Sequence, residues 1–113
     1  MSFITKEDTV LVAIDFQEKL MPAMSNGQET EEKAAKLISG MKVFGVPAIV
    51  TQQYTKGIGP TTAKIAEALG DFEHVEKTSF SAMRTQEFRD RLAATGRKNV
   101  VICGVEAHIC VLQ

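Results

Sequence analysis

Cys110 lies in the turn Gly104-Val105-Glu106-Ala107-His108-Ile109-Cys110, directly beyond the apolar run Val100-Val101-Ile102-Cys103. A thiol just past a parallel strand is well placed for a nucleophile: backbone N–H groups converge there, and a helix start favours thiolate over thiol. Two other reactive residues follow apolar runs in the same way. Asp15 closes Thr9-Val10-Leu11-Val12-Ala13-Ile14, and Lys77 closes His74-Val75-Glu76. Together they form a working set. The carboxylate takes the thiol proton, the ammonium stabilises thiolate and carboxylate, and the thiolate attacks a carbonyl. The turn ahead of Cys110 presents N–H groups to the oxyanion that forms. Singly, each has an ordinary reading as a turn former, a solvated charge or a small apolar filler. The case for chemistry rests on their convergence.

Convergence requires a sheet whose strands all end on one rim. Apolar strand runs near residues 9–15, 46–52, 74–77 and 99–103 alternate with three amphipathic helices. One starts near Thr30 and stops at Gly45, with Ala34, Leu37, Ile38, Met41 and Phe44 at helical spacing. The second opens at Pro60-Thr61 and closes at Gly70. The third is capped by Thr85, carries Phe88 and Leu92 on one face, and closes at Gly96. Such alternation implies right-handed crossovers and a parallel sheet. The expected fold is a three-layer, doubly wound α/β domain over residues 1–113 in strand order 3-2-1-4. The segments 16–28 and 53–59 read as loops. Between strands one and four the order reverses, and ligands of open α/β sheets bind outside the carboxyl ends at such a point.

Composition narrows the function. A formal net charge of −1 with interspersed acids and bases shows no basic face for nucleic acid or anionic membrane. No apolar run is long enough to span a bilayer, and the N-terminus lacks the layout of a signal peptide. Two cysteines do not make a secreted disulfide framework, so a cytoplasmic location is expected. Cys103 reads as an inert strand thiol. His108 reads as an exposed turn residue, because no second metal ligand lies at useful spacing.

Three segments resemble the isochorismatase-like cysteine hydrolases: Asp15-Phe16-Gln17, Lys77-Thr78-Ser79-Phe80-Ser81, and Gly104 through Val111. They come in that family's order and cover nearly the whole chain. The loop from Thr51 to Pro60 looks most like the isochorismatase-domain-containing hydrolases. The resemblance implies Asp15 as acid/base, Lys77 as electrostatic partner and Cys110 as nucleophile. It also implies a cis peptide before Glu106, aiming the Glu106 and Cys110 N–H groups at the substrate oxygen. Phe16, Gln17, Gln53, Tyr54 and Phe80, all just past strand ends, are expected around the substrate pocket; for the three aromatics a core position is equally open.

Two departures refine the expectation. The nicotinamidase branch carries an Asp-x-His metal motif after its second strand, where this chain has Gln52, Gln53 and Tyr54, so no metal and no cofactor are expected. The isochorismatases proper lack the cysteine and hydrolyse a vinyl ether, so Cys110 points instead to a small amide or related acyl compound and a thioester intermediate. Family domains also continue well past the nucleophile, and strand four is too apolar for a sheet edge. The chain is therefore expected to be the N-terminal portion of a longer domain, with a bare fourth-strand edge, and to form a homo-oligomer. Alternatives from other classes are a non-catalytic oligomeric scaffold or binding protein and a thiol redox sensor.

Overall fold

A computed structural model of the chain describes residues 4–113. Four parallel strands, β1 (Thr9–Ile14), β2 (Ala48–Gln53), β3 (Val75–Lys77) and β4 (Asn99–Gly104), form one sheet in the order β3-β2-β1-β4. This is the expected order. Every residue of β1 is buried, as a continuous apolar run covered on both faces requires.

Alternate side chains of β1 supply the two cores. Leu11 and Ala13 pack with Phe16, Met21, Ala34, Ile38, Ile65 and Leu69 under α1 (Gly27–Val43) and α3 (Ala63–Leu69). Val10, Val12 and Ile14 point the other way, into a cluster with Val75, Phe88 and Cys110 beside α4 (Gln86–Thr95). The nucleophile candidate is thus packed directly against the central strand. Truncating a fully covered residue such as Leu11 costs about 2–5 kcal/mol, so β1 is the structural spine of the site.

The elements differ from expectation at their margins, each time for a local reason. α1 begins at Gly27 rather than Thr30; a Cβ there would meet the Met21 carbonyl at 2.3 Å, so only glycine lets the chain turn into the helix this early. Of the α1 stripe, Ala34 and Ile38 are buried, whereas Leu37 (37%) and Phe44 (63%) lie on the exposed side. Pairing in β2 starts at Ala48, after Pro47, whose carbonyl accepts from Leu11 N–H at 2.9 Å. The segment 53–59 contains a short helix, α2 (Thr55–Ile58), and the segment 16–28 a 3-10 turn, Met21–Ala23, with Met21 in the core. Thr85 stands at the start of α4, but its hydroxyl makes no capping bond.

β4 is a sheet edge. Val100 and Ile102 are 45% and 50% exposed, and with Phe88, Leu92, Met83 and Leu112 they line an apolar groove of about 270 Å³ that reaches Cys110.

Candidate active site

The carboxyl ends of all four strands meet at one rim. Asp15 follows β1 in the left-handed region (φ 56°), a conformation Asp tolerates better than most residues. Lys77 is the last residue of β3, and Cys110 sits in a single π-type turn, Ala107–Val111, beyond β4. Two close approaches hold that turn against β1. Val105 N–H donates to Ile14 O at 3.0 Å, and a Cβ on Gly104 would lie 2.5 Å from that same carbonyl oxygen. The chain then reaches the loop after β3, where Ser81 Oγ–H donates to Gln113 O at 3.0 Å.

Lys77 occupies the centre. Its side chain and that of Asp15 are both 0% exposed, with Nζ 2.9 Å from Asp15 Oδ2. Nζ also has Gln53 Oε1 (2.8 Å), the carbonyls of Phe80 (3.0 Å) and Ser79 (3.1 Å), and Cys110 Sγ (3.5 Å) within hydrogen-bonding reach, which its three N–H groups share. A buried ammonium demands such a shell, since an unpaired charge away from water costs several kcal/mol. The run Lys77-Thr78-Ser79-Phe80 therefore supplies carbonyls that wrap the lysine's own head group.

Asp15 is held on one side only. Oδ1 accepts the Thr51 hydroxyl at 2.9 Å. Oδ2 is close to the ammonium but receives no aligned hydrogen bond among the described residues. The contact with Lys77 is therefore one of charge. Burial first, and then the hydrogen bonding and charge of Asp15, push the Cys110 thiol above its ordinary pKa; Lys77 opposes them. The resting sulfur is a thiol, contrary to the expectation that a helix start would favour thiolate. One isolated turn has no useful dipole, and the neighbouring cation is already matched by a carboxylate.

The Val105–Glu106 bond is cis, and Glu106 N–H donates to no backbone carbonyl among the described residues. Cys110 is buried in the turn that follows.

The expected pocket residues separate. Phe16 is in the core (2% exposed) and is not a rim residue. Gln17 is fully buried: its Nε2 donates to Gln53 O and Gly59 O, both at 2.8 Å, and its Oε1 accepts from Gln53 N–H at 2.6 Å. Gln17 therefore acts as a crosslink between loops, with no amide atom left for a ligand. Gln53 faces Lys77. Tyr54 and Phe80 are exposed (53% and 56%) near the site, and Tyr54 lies over Gly57, where a Cβ would be 2.5 Å from its ring. The residues that sequence reasoning passed over are Thr51 and the carbonyls of Ser79 and Phe80. The sequence signal for Thr51 was a hydroxyl near the end of a buried strand, one residue before the rim.

Cys103 is a second free thiol, pushed up to about 11 by burial, and stays protonated. Among the described residues no group of His, Cys, Asp or Glu is placed to hold a metal, and no helix is long and apolar enough to cross a membrane.

Residues 9–113 match the isochorismatase domain model. The chain belongs to the isochorismatase domain family. Members of this family are generally hydrolases. Isochorismatase domain-containing protein 2 of Danio rerio is 35% identical over 109 residues, covering 96% of this chain and 54% of that protein. Secreted isochorismatase effector Isc1 of Phytophthora sojae is 34% identical over 116 residues, covering 98% and 50%. Among solved structures, the MAR1 ribonuclease from Caenorhabditis elegans superposes with a TM-score of 0.88 at 34% identity, over 99% of this chain and 57% of that one. The chain spans about half the length of the curated relatives it matches.

Proposed function

We propose that this domain is a metal-independent cysteine hydrolase that cleaves a small amide or related acyl compound through a thioester. The observation that carries this reading is the position of Lys77 Nζ, 2.9 Å from Asp15 Oδ2 and 3.5 Å from Cys110 Sγ, at the carboxyl rim between β1 and β4.

In the proposed reaction, Cys110 Sγ attacks the substrate carbonyl carbon as its proton passes to Asp15. The Glu106 and Cys110 N–H groups receive the oxyanion. The C–N bond breaks, and Asp15 returns the proton to the departing nitrogen, leaving a Cys110 thioester. A water then gives a proton to Asp15 as its oxygen adds to the thioester carbonyl. The C–S bond breaks, the sulfur regains the proton from Asp15, and the acid product ionises into solvent. Lys77 keeps the carboxylate oriented and offsets each negative charge. Tyr54 and Phe80 flank the entrance. No step needs a metal or cofactor.

The test is release of amine or ammonia from a panel of small amides by the natural polypeptide, with Cys110→Ala as control. Turnover lost in the variant with the fold intact supports the reading; turnover retained refutes covalent catalysis. A redox sensor is disfavoured, because sensing thiols are low-pKa and exposed whereas Cys110 is buried and raised. A purely scaffolding role gives no account of a buried lysine shared between a carboxylate and a thiol.

The ribonuclease name belongs to the nematode protein. With a net charge of −1 and interspersed signs, this chain is suited to a small molecule and not to a polyphosphate backbone. The domain is read as the N-terminal portion of a longer one. Its share of its relatives' length and the half-exposed Val100 and Ile102 support this, since covering those side chains contributes on the order of 1 kcal/mol each or more. An intact mass of the natural product tests it. Two free thiols support a cytoplasmic location, which cell fractionation tests. Self-association into a homo-oligomer is supported by the exposed apolar Val43 and Phe44 at the end of α1; sedimentation velocity decides it.

A further inference from the structure

We infer that Thr51 is a positioning residue that fixes which oxygen of Asp15 receives the thiol proton. This rests on the hydrolase reading, in which Asp15 is the proton acceptor.

A carboxylate after a strand end is free to rotate, and rotation would exchange the oxygen near the thiol for one facing elsewhere. Thr51 removes that freedom at two points. Its carbonyl accepts Asp15 N–H at 3.2 Å, and its hydroxyl donates to Asp15 Oδ1 at 2.9 Å. Both residues are 0% exposed, so water does not compete for either bond. The pairing of Ile14 with Thr51 in the β1–β2 register sets Thr51 beside Asp15. A β-branched side chain in a strand is stiff about χ1, which fixes the direction of its hydroxyl. With Oδ1 so occupied, Oδ2 is the oxygen left without an aligned partner, and it faces Lys77; the carboxylate is close enough to the Cys110 thiol for its hydrogen bonding and charge to hold the thiol proton.

The charged or titratable groups that face Asp15 are few. β3 brings Lys77, and the turn beyond β4 brings Cys110. β2 brings Thr51 and Gln53, both neutral. Cys103 of β4 packs in the opposite layer, with Leu11 and Ala13. The proton therefore moves within the Asp15–Cys110 pair under one fixed cation. A hydroxyl that donates to the carboxylate takes up part of its accepting capacity; without it Asp15 accepts more strongly from Cys110, and the thiol keeps its proton to higher pH.

The decisive variants are Thr51→Val, which keeps the branched shape and loses the donor, and Thr51→Ser, which keeps the donor. Two readouts are compared in the natural polypeptide. The first is kcat and KM on whichever amide of the panel is turned over. The second needs no substrate: the rate of Cys110 alkylation by iodoacetamide as a function of pH. The expected result for Thr51→Val is a kcat roughly ten- to a hundredfold lower with KM unchanged, and an alkylation midpoint shifted upward by about half to one pH unit. Thr51→Ser restores both. If no amide is turned over but the alkylation midpoint moves and serine restores it, the hydrolase reading fails while the placement of Thr51 stands. If Thr51→Val alkylates and turns over as wild type does, the positioning role is overturned while the hydrolase reading stands. A loss that serine does not restore, accompanied by a matching fall in thermal stability, also overturns it, because the residue is then only part of the core.

Discussion

Lys77 Nζ lies 2.9 Å from Asp15 Oδ2, with neither side chain exposed, and this ion pair is the fixed point around which the rim is organised. The carboxylate keeps the ammonium from acting on the thiol alone, so the two residues oppose each other at Cys110: Asp15 raises its pKa and Lys77 lowers it.

Replacing Asp15 by Asn separates thiol reactivity from catalysis. The variant loses the carboxylate that raises the Cys110 pKa and keeps the cation that lowers it. Iodoacetamide labelling at neutral pH is therefore expected to speed up, by about tenfold if the thiol drops by one unit, while amide turnover is lost. Labelling rates measured from pH 6 to pH 10 check this. Slower labelling in the variant contradicts the opposed roles.

In the wild type, the raised thiol pKa means that reactivity toward alkylators is weak near neutrality and climbs as pH passes above the ordinary thiol range. A plateau already reached at pH 7 would show a preformed thiolate and contradict the resting state described here.

Breaking the pair from the other side tests its structural weight. Lys77→Met leaves Asp15 buried without a cation and is expected to cost about 3–5 kcal/mol of stability, whereas adding Asp15→Asn recovers part of the loss. Urea unfolding of the two variants measures the difference, and equal losses argue against a coupled pair.

Gly104→Ala probes the approach of the Cys110 turn to β1. Its Cβ would meet Ile14 O at 2.5 Å, and Gly104 has φ 153°. A destabilisation of about 1–3 kcal/mol is expected, together with impaired turnover, because the Val105-to-Ile14 bond that seats the turn is pushed apart. A wild-type melting temperature in this variant refutes that account of the turn.

The sheet order and the rim were legible because β1 is apolar from Val10 to Ile14 and because Asp15, Lys77 and Cys110 each lie at or just past the carboxyl end of a strand. The finer geometry was not. Leu37 and Phe44 share a helical stripe with Ile38, but spacing does not say how wide a face the sheet covers, and both are exposed. Gln17 looked like a pocket residue because an amide past a strand end reads the same whether it faces ligand or folds back onto Gln53 and Gly59. Thr51 looked like an ordinary strand former, since β-branched residues suit strands whether or not the hydroxyl has a task. The thiolate expectation ran opposite in direction: burial first, and Asp15 second, push the Cys110 thiol up against Lys77, and neither the burial nor those distances are carried by the sequence.

The central claim, that Cys110 carries the acyl group, is tested most directly by mass spectrometry of the protein quenched during turnover of an activated acyl substrate such as p-nitrophenyl acetate. The account predicts a mass increase equal to the acyl group on the Cys110 peptide, absent from Cys110→Ala and removed by hydroxylamine. Steady turnover with no adduct on that peptide, and undiminished in Cys110→Ala, contradicts it.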